Sequence, residues 1–112
     1  LKNASENKIN IIAKEIFSNG RLTNANKKFH QNELIELVNI AMSVNLNLEE
    51  LSYLWVYQLP FIKICLTGAS TITQLDTNLK CIKKKDIEIP SLESFALSTD
   101  DYWSTRKLLN WN

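Results

Sequence analysis

A strong charge of either sign, a long apolar run and a cluster of metal ligands are all missing from this sequence. The 112 residues include 13 basic and 12 acidic side chains, for a formal charge of +1, which favours neither nucleic acid nor an anionic membrane as a partner. No apolar run approaches the roughly 18 residues that suggest a membrane span. His30 is the only histidine, which with two separated cysteines gives too few ligands for a metal centre.

Cysteine is also scarce. Cys65 and Cys81 lack CxxC spacing and have no nearby histidine, so buried free thiols are favoured over a disulfide. Free thiols fit the cytoplasm or another reducing compartment, and the sequence has no signal-peptide pattern. It begins at Leu1 and not at Met, from which we expect a processed or excised piece of a longer protein.

The residues that are present are typical of a folded globular chain. Hydrophobic residues make up 45% of the sequence and charged residues 22%, which argues against intrinsic disorder. A length of 112 residues allows one domain at most. Because no internal repeat, low-complexity tract or linker divides the chain, we expect residues 1–112 to belong to a single domain.

Residues 62–82 predict a strand, a tight turn and a helix. Apolar residues alternate with other residues at 62–66, as in a short strand. Small residues at 67–70 let the backbone turn tightly and come close to a ligand. Apolar residues then recur at helical spacing, so a helix begins near Ser70 or Thr71, either of which can cap it.

The turn after this strand is suited to holding an anion. Free N–H groups and the positive end of the helix dipole point at whatever occupies it. Gln74 and Asn78 are four residues apart, so their amides share a polar face just above the turn. With a phosphate in the turn, these amides are placed to hydrogen-bond a nearby sugar or base edge. The residues of the predicted anion turn are Gly68, Ala69, Ser70 and Thr71.

Apolar spacing and capping residues predict the main helices. Asn47 with Glu50, and Ser98 with Asp101, have the spacing of capping boxes, and Pro60 stops the helix that precedes it. The predicted helices span 32–44, 48–58, 71–84 and 98–109, with a short helical turn between 91 and 97.

The segment upstream of Gly20 allows two interpretations. The spacing of Ile9, Ile12 and Ile16, with Gly20 to end the segment, slightly favours a helix. The alternative is a short strand near 10–13 that leads into a short helix.

Several of these stretches resemble the C-terminal third of the aldo/keto reductases. The Gly-Ala-Ser turn with Gln74 and Asn78 resembles the last βα unit of that family, although Thr77 stands where relatives usually have a Glu that helps to hold adenine. LSYLWVYQLP resembles the Leu-rich helix that ends in Gln-Pro, and YWSTRKLLNWN resembles the tail of one branch. IIAKEIFSNGRLT resembles the seventh barrel strand and the loop after it, which in relatives lies along the cofactor pyrophosphate.

The resemblance implies an α/β fold, namely a C-terminal fragment of a (β/α)8 TIM barrel, predominantly helical with one or two short strands. It favours the strand interpretation upstream of Gly20. It also implies that the parent protein is an oxidoreductase that reduces carbonyls with NADPH. No catalytic residue is carried over, because the catalytic Tyr, Lys, His and Asp of relatives lie on earlier strands, so the chain alone is expected to be inactive.

The resemblance further implies which residues hold NADP. The candidate cofactor-binding residues are Gly68, Ala69, Ser70, Thr71, Gln74, Asn78 and Lys14. For Lys14, a contact with the cofactor and an ordinary solvated side chain are both open. Two barrel strands would leave unpaired edges and an apolar face exposed, which predicts a homo-oligomer or a disordered, aggregation-prone monomer.

A different class of function is the alternative. Helix 34–44, a break at 45–47 and helix 48–58 have the spacing of a helix-turn-helix, as in a small DNA-binding or protein-interaction module. Glu49 and Glu50 open the second helix, however, where a DNA reader would meet phosphates.

Overall fold

The computed structural model describes residues 9–26 and 32–108, together with Asn3, Glu6 and Asn7. Its elements follow the order β1, α1, α2, β2, α3 and α4, with a short 3-10 helix, Glu93–Phe95, before α4. The strands are β1 (Ile11–Ala13) and β2 (Ile62–Cys65). The α-helices of the described residues are α1 (Asn32–Ser43), α2 (Leu48–Gln58), α3 (Ile72–Ile82) and α4 (Thr99–Lys107).

The four predicted helices and the strand before the turn are confirmed, with every end within two residues of its expected position. Upstream of Gly20, the helix favoured by apolar spacing is wrong, and the strand implied by the resemblance is confirmed as β1. The physical reason is pairing with β2, a contact distant in sequence that overrides weak local helical spacing.

β1 and β2 form a two-stranded parallel sheet. Ile11 is paired with Ile62 and Ala13 with Cys65, with an irregularity in register after Ile11. The Leu66 N–H donates to the Ala13 carbonyl at 2.8 Å and extends the pairing toward the turn. Parallel strands need a long crossover, which α1 and α2 supply here. The described residues therefore form a compact α/β domain, in which a closed barrel is not seen.

Helix α2 lies at the centre of the core. Leu51 and Leu54 are fully buried, and Ala41 of α1 packs in the same cluster. The predicted capping box at its start is confirmed: Glu50 N–H donates to Asn47 Oδ1 at 2.9 Å, and Asn47 N–H donates to Glu50 Oε2 at 3.1 Å. Local capping and central burial both fix where this helix begins.

Helix α3 turns its polar side inward. Its buried residues are Asn78 and Cys81. Ile72 is 87% exposed, and Leu75 and Leu79 are about half exposed. These three apolar residues therefore face away from the core, whereas Cys81 lies in the core, Ile82 packs against it, and Asn78 lies beside a cavity.

Candidate functional site

The backbone between β2 and α3 turns through a left-handed residue. Gly68 has φ +67°, a conformation that residues with a side chain rarely adopt. A Cβ placed on Gly68 would meet nothing within 4 Å. The glycine is therefore required by the backbone conformation and not by a lack of space.

The start of α3 is held by its own side chains. Thr71 is the N-cap, and its Oγ1 accepts a hydrogen bond from Gln74 N–H at 3.2 Å. Gln74 Oε1 in turn accepts from the backbone N–H groups of Ser70 at 2.8 Å and Thr71 at 3.3 Å. Two N–H groups of the predicted anion turn are thus already paired with the carbonyl oxygen of Gln74. An anion that bound those two groups would have to displace this oxygen.

An open cavity of about 550 Å³ lies between the anion turn and the loop that follows β1. It brings together five of the seven residues predicted to bind the cofactor, although Ser70 and Thr71 do not line it. The predicted residues that line the cavity are Lys14, Gly68, Ala69, Gln74 and Asn78. Residues from both strands of the parallel pair therefore meet at one site, as the carboxyl ends of such strands do.

Asn78 is the most unusual of these side chains. It lines the cavity and is only 4% exposed. Its Oδ1 is buried without a hydrogen-bond partner among the described residues. A buried acceptor without a partner is costly and uncommon. The residue therefore lies beside the cavity, but a ligand in the cavity can reach its Oδ1 only if the side chain moves.

The cavity wall also includes Glu15, which the sequence did not single out. Its carboxylate forms an ion pair with Arg106 at 2.7 Å and accepts hydrogen bonds from Tyr102 Oη at 2.5 Å and Asn19 Nδ2 at 3.3 Å. The hydrogen bond from Tyr102, and then the Arg106 charge, lower the pKa of Glu15. Because Arg106 offsets this negative charge, the carboxylate does not by itself exclude an anion from the cavity.

The loop after β1 contains a series of left-handed residues. Glu15, Ser18 and Asn19 have φ values of 57°, 50° and 55°, and Gly20 follows at 82°. Arg21 holds this loop by donating from Nη2 to Ser18 Oγ at 2.8 Å. Three non-glycine residues in this region of backbone space are uncommon in one loop, so side-chain contacts must maintain its shape.

The two thiols lie outside this cavity. Both are free, as the sequence predicted, with Cys81 buried and Cys65 half-buried. Burial raises the pKa of both, that of Cys81 to about 11. Neither is activated as a nucleophile, since the thiolate is the reactive form.

In the described part of the chain, no group of three or more His, Cys, Asp or Glu residues is placed to hold a metal ion. None of the helices there has the length and apolar character needed to cross a bilayer. His30 lies outside the described residues.

No protein-family model matches this chain, and neither a curated protein nor a solved structure is significantly similar to it. The resemblance to aldo/keto reductases therefore stays a prediction.

Proposed function

We propose that this chain is the C-terminal, NADP-binding part of an aldo/keto reductase-like oxidoreductase that reduces carbonyls with NADPH. The chain alone supplies a corner for the adenosine-phosphate end of the cofactor and is inactive without the rest of the enzyme. The observation that supports this most is the cavity lined by Lys14, the Gly68 turn and Asn78, a residue whose Oδ1 is buried without a partner among the described residues.

The cavity offers complementary chemistry for a phosphorylated nucleoside. The start of α3 provides a positive helix-dipole end, and Lys14 adds a mobile cation at the opposite wall. Once its side chain moves, Asn78 Oδ1 would accept a hydrogen bond from an amino or hydroxyl group of the nucleoside. Gln74 would release the N–H groups of Ser70 and Thr71 as the phosphate arrives.

The surfaces away from the cavity fit a part of a larger assembly. Ile12 and Ile64 are register partners in the sheet, and both are at least half exposed. On α3, Ile72 is 87% exposed. Exposed apolar side chains that lie together can mark an interface. We propose that the rest of the barrel covers it in the parent protein, and that copies of the chain cover it when the chain is alone.

The helix-turn-helix alternative fits the structure less well. A recognition helix must offer a free face to the major groove. The second helix of the pair, α2, instead has its first half buried in the core, and Glu50 at its start is paired with Lys84 at 2.6 Å. We therefore propose no nucleic-acid partner.

The test is a titration of the labelled chain with NADP and with its adenosine-bisphosphate fragment. We expect amide resonances of residues 14–20 and 67–78 to shift, with affinity on the millimolar scale because most cofactor contacts are missing. Asn78→Ala should weaken binding, whereas Asn39→Ala, an exposed position on α1, should not. If no resonance in the two segments responds at tens of millimolar, or if both variants bind alike, the proposal is wrong.

A further inference from the structure

The carboxylate of Glu15 joins the cavity to the C-terminal helix. One oxygen, Oε2, accepts hydrogen bonds from the Tyr102 hydroxyl and the Asn19 amide. The other, Oε1, forms the ion pair with Arg106 at 2.7 Å. Tyr102 and Arg106 are one helical turn apart on α4, so two side chains on the same face of the helix contact the carboxylate.

These polar contacts attach α4 to the loop that follows β1. None of its residues is buried, so apolar packing contributes little to its position. The ion pair, in contrast, is shielded, because the side chains of Arg106 and Glu15 are only 16% and 22% exposed. The Trp103 ring lies 5.7 Å from the Arg106 guanidinium and supports it by a cation–π contact. Charge-assisted hydrogen bonds in a shielded place are the stronger kind.

Glu15 needs an external anchor, because its backbone is in the left-handed region at φ 57°. It directly follows Lys14, and both residues line the cavity. Lys14 therefore lies between β1 and a residue whose carboxylate is held by α4. Asn19, another left-handed residue of the same loop, is bonded to the same carboxylate. Whatever holds the Glu15 carboxylate thus also restrains the part of the cavity wall formed by Lys14, Glu15 and Asn19.

We propose that Tyr102 and Arg106 are positioning residues for the cavity: through Glu15 they keep Lys14 and the 15–20 loop in the shape that binds a phosphate compound, so that docking of α4 and binding in the cavity are coupled. This inference rests on the proposed function for the identity of the ligand. The coupling is reciprocal by linkage, so a bound phosphate compound also holds α4 more firmly against the loop.

Charge-matched variants of α4 separate positioning from simple electrostatics. Arg106→Met and Lys107→Met each remove one positive charge from the last turn of the same helix, but only Arg106 contacts Glu15 in the contacts described above. Arg106→Lys keeps the charge and restores a partner for the carboxylate. Tyr102→Phe removes the hydroxyl alone, and Tyr57→Phe, at a 41% exposed tyrosine, is its control. Since α4 buries no residue, and Tyr57 of α2 loses only a hydroxyl group, the core should remain folded in all five variants.

The full chain is measured with two readouts: the amide resonances of residues 14–20 without ligand, and the dissociation constant for the adenosine-bisphosphate fragment. We expect Arg106→Met and Tyr102→Phe to shift the free-state resonances and to weaken binding by about fivefold or more, at the low end of usual coupling strengths. Lys107→Met and Tyr57→Phe should do neither, and Arg106→Lys should recover most of the affinity.

Equal losses in Arg106→Met and Lys107→Met would overturn the inference, because long-range charge alone would then explain the effect. Unchanged free-state resonances in Arg106→Met would overturn it as well. If the unmodified chain binds no probe while the free-state resonances do move, the proposed ligand is wrong, but α4 still positions the loop. The two failures are therefore distinguishable.

Discussion

Replacing Asn78 by an apolar side chain of similar size should make the free protein more stable and a poorer binder. In the free chain, Asn78 Oδ1 is buried without a partner and the residue is only 4% exposed. An unsatisfied buried polar group costs about 1–3 kcal/mol. Asn78→Leu removes that cost, but the branched side chain must fit beside the cavity, so we expect a net gain of about 1 kcal/mol in the free energy of unfolding.

For a chain of this length, a gain of that size corresponds to a rise in Tm of about 3–6 °C. Urea and thermal unfolding followed by circular dichroism would measure it, with Asn39→Leu as a control that exposes the added side chain to solvent. The binding assay completes the prediction, because Asn78→Leu should lose about 1–3 kcal/mol of affinity for the phosphate compound. Destabilisation by Asn78→Leu beyond 1 kcal/mol would refute the reasoning, since it would mean that the Asn78 amide is satisfied in the folded chain.

Three other predictions concern charge, thiols and assembly. Because the folded-state pKa of Glu15 is lowered from its ordinary 4.5, its stabilisation is present above that value and is lost as the pH falls through the lower pKa. The free energy of unfolding between pH 7 and pH 3 should therefore fall more steeply in the unmodified chain than in Glu15→Gln, and parallel curves would contradict this. Iodoacetamide should label half-buried Cys65 before Cys81, whose pKa is raised to about 11; equal rates in mass spectra would contradict the burial. Sedimentation should show self-association that Ile64→Lys reduces and Lys63→Ile does not, whereas a stable monomer of the unmodified chain would rule out the proposed interface.

The elements that could be predicted from the sequence are those with local determinants. Helix α2 was predicted at its observed bounds because Asn47 and Glu50 cap its start and Pro60 follows its end. The sequence also predicts Ser98 as the N-cap of α4, and its Oγ does accept a hydrogen bond from Asp101 N–H. The predicted capping box is incomplete among the described residues, because the Asp101 carboxylate accepts from the Ser98 hydroxyl at 2.6 Å and not from the Ser98 backbone N–H. Where the two partners of a capping interaction lie within four residues of each other, the start of a helix can be predicted from the sequence alone.

The features that local spacing does not predict depend on distant contacts. β1, which the resemblance implies and local spacing does not favour, is only three residues long and is defined by its pairing with residues about 50 positions later. The Glu15 cluster joins residues 87 positions apart, and nothing in the local sequence of Glu15 marks it as a partner of α4. The side of α3 that carries Gln74 and Asn78 is predicted to face the turn, but apolar spacing does not show that Ile72, Leu75 and Leu79 are left exposed.

Helix α3 has exposed apolar side chains on one side and, on another, a buried polar atom without a hydrogen-bond partner among the described residues. On the outer side, Ile72 and its apolar neighbours are exposed to water. Burying them would contribute a free energy of about 25 cal/mol for each Å² of apolar surface removed from water. Inward, a buried amide oxygen without a partner lies beside a cavity. Rotating the helix would not resolve this, since it would expose Cys81, which is 1% exposed. The proposed function supplies a partner for each side: the rest of the barrel would cover the outside, and the cofactor would occupy the cavity inside.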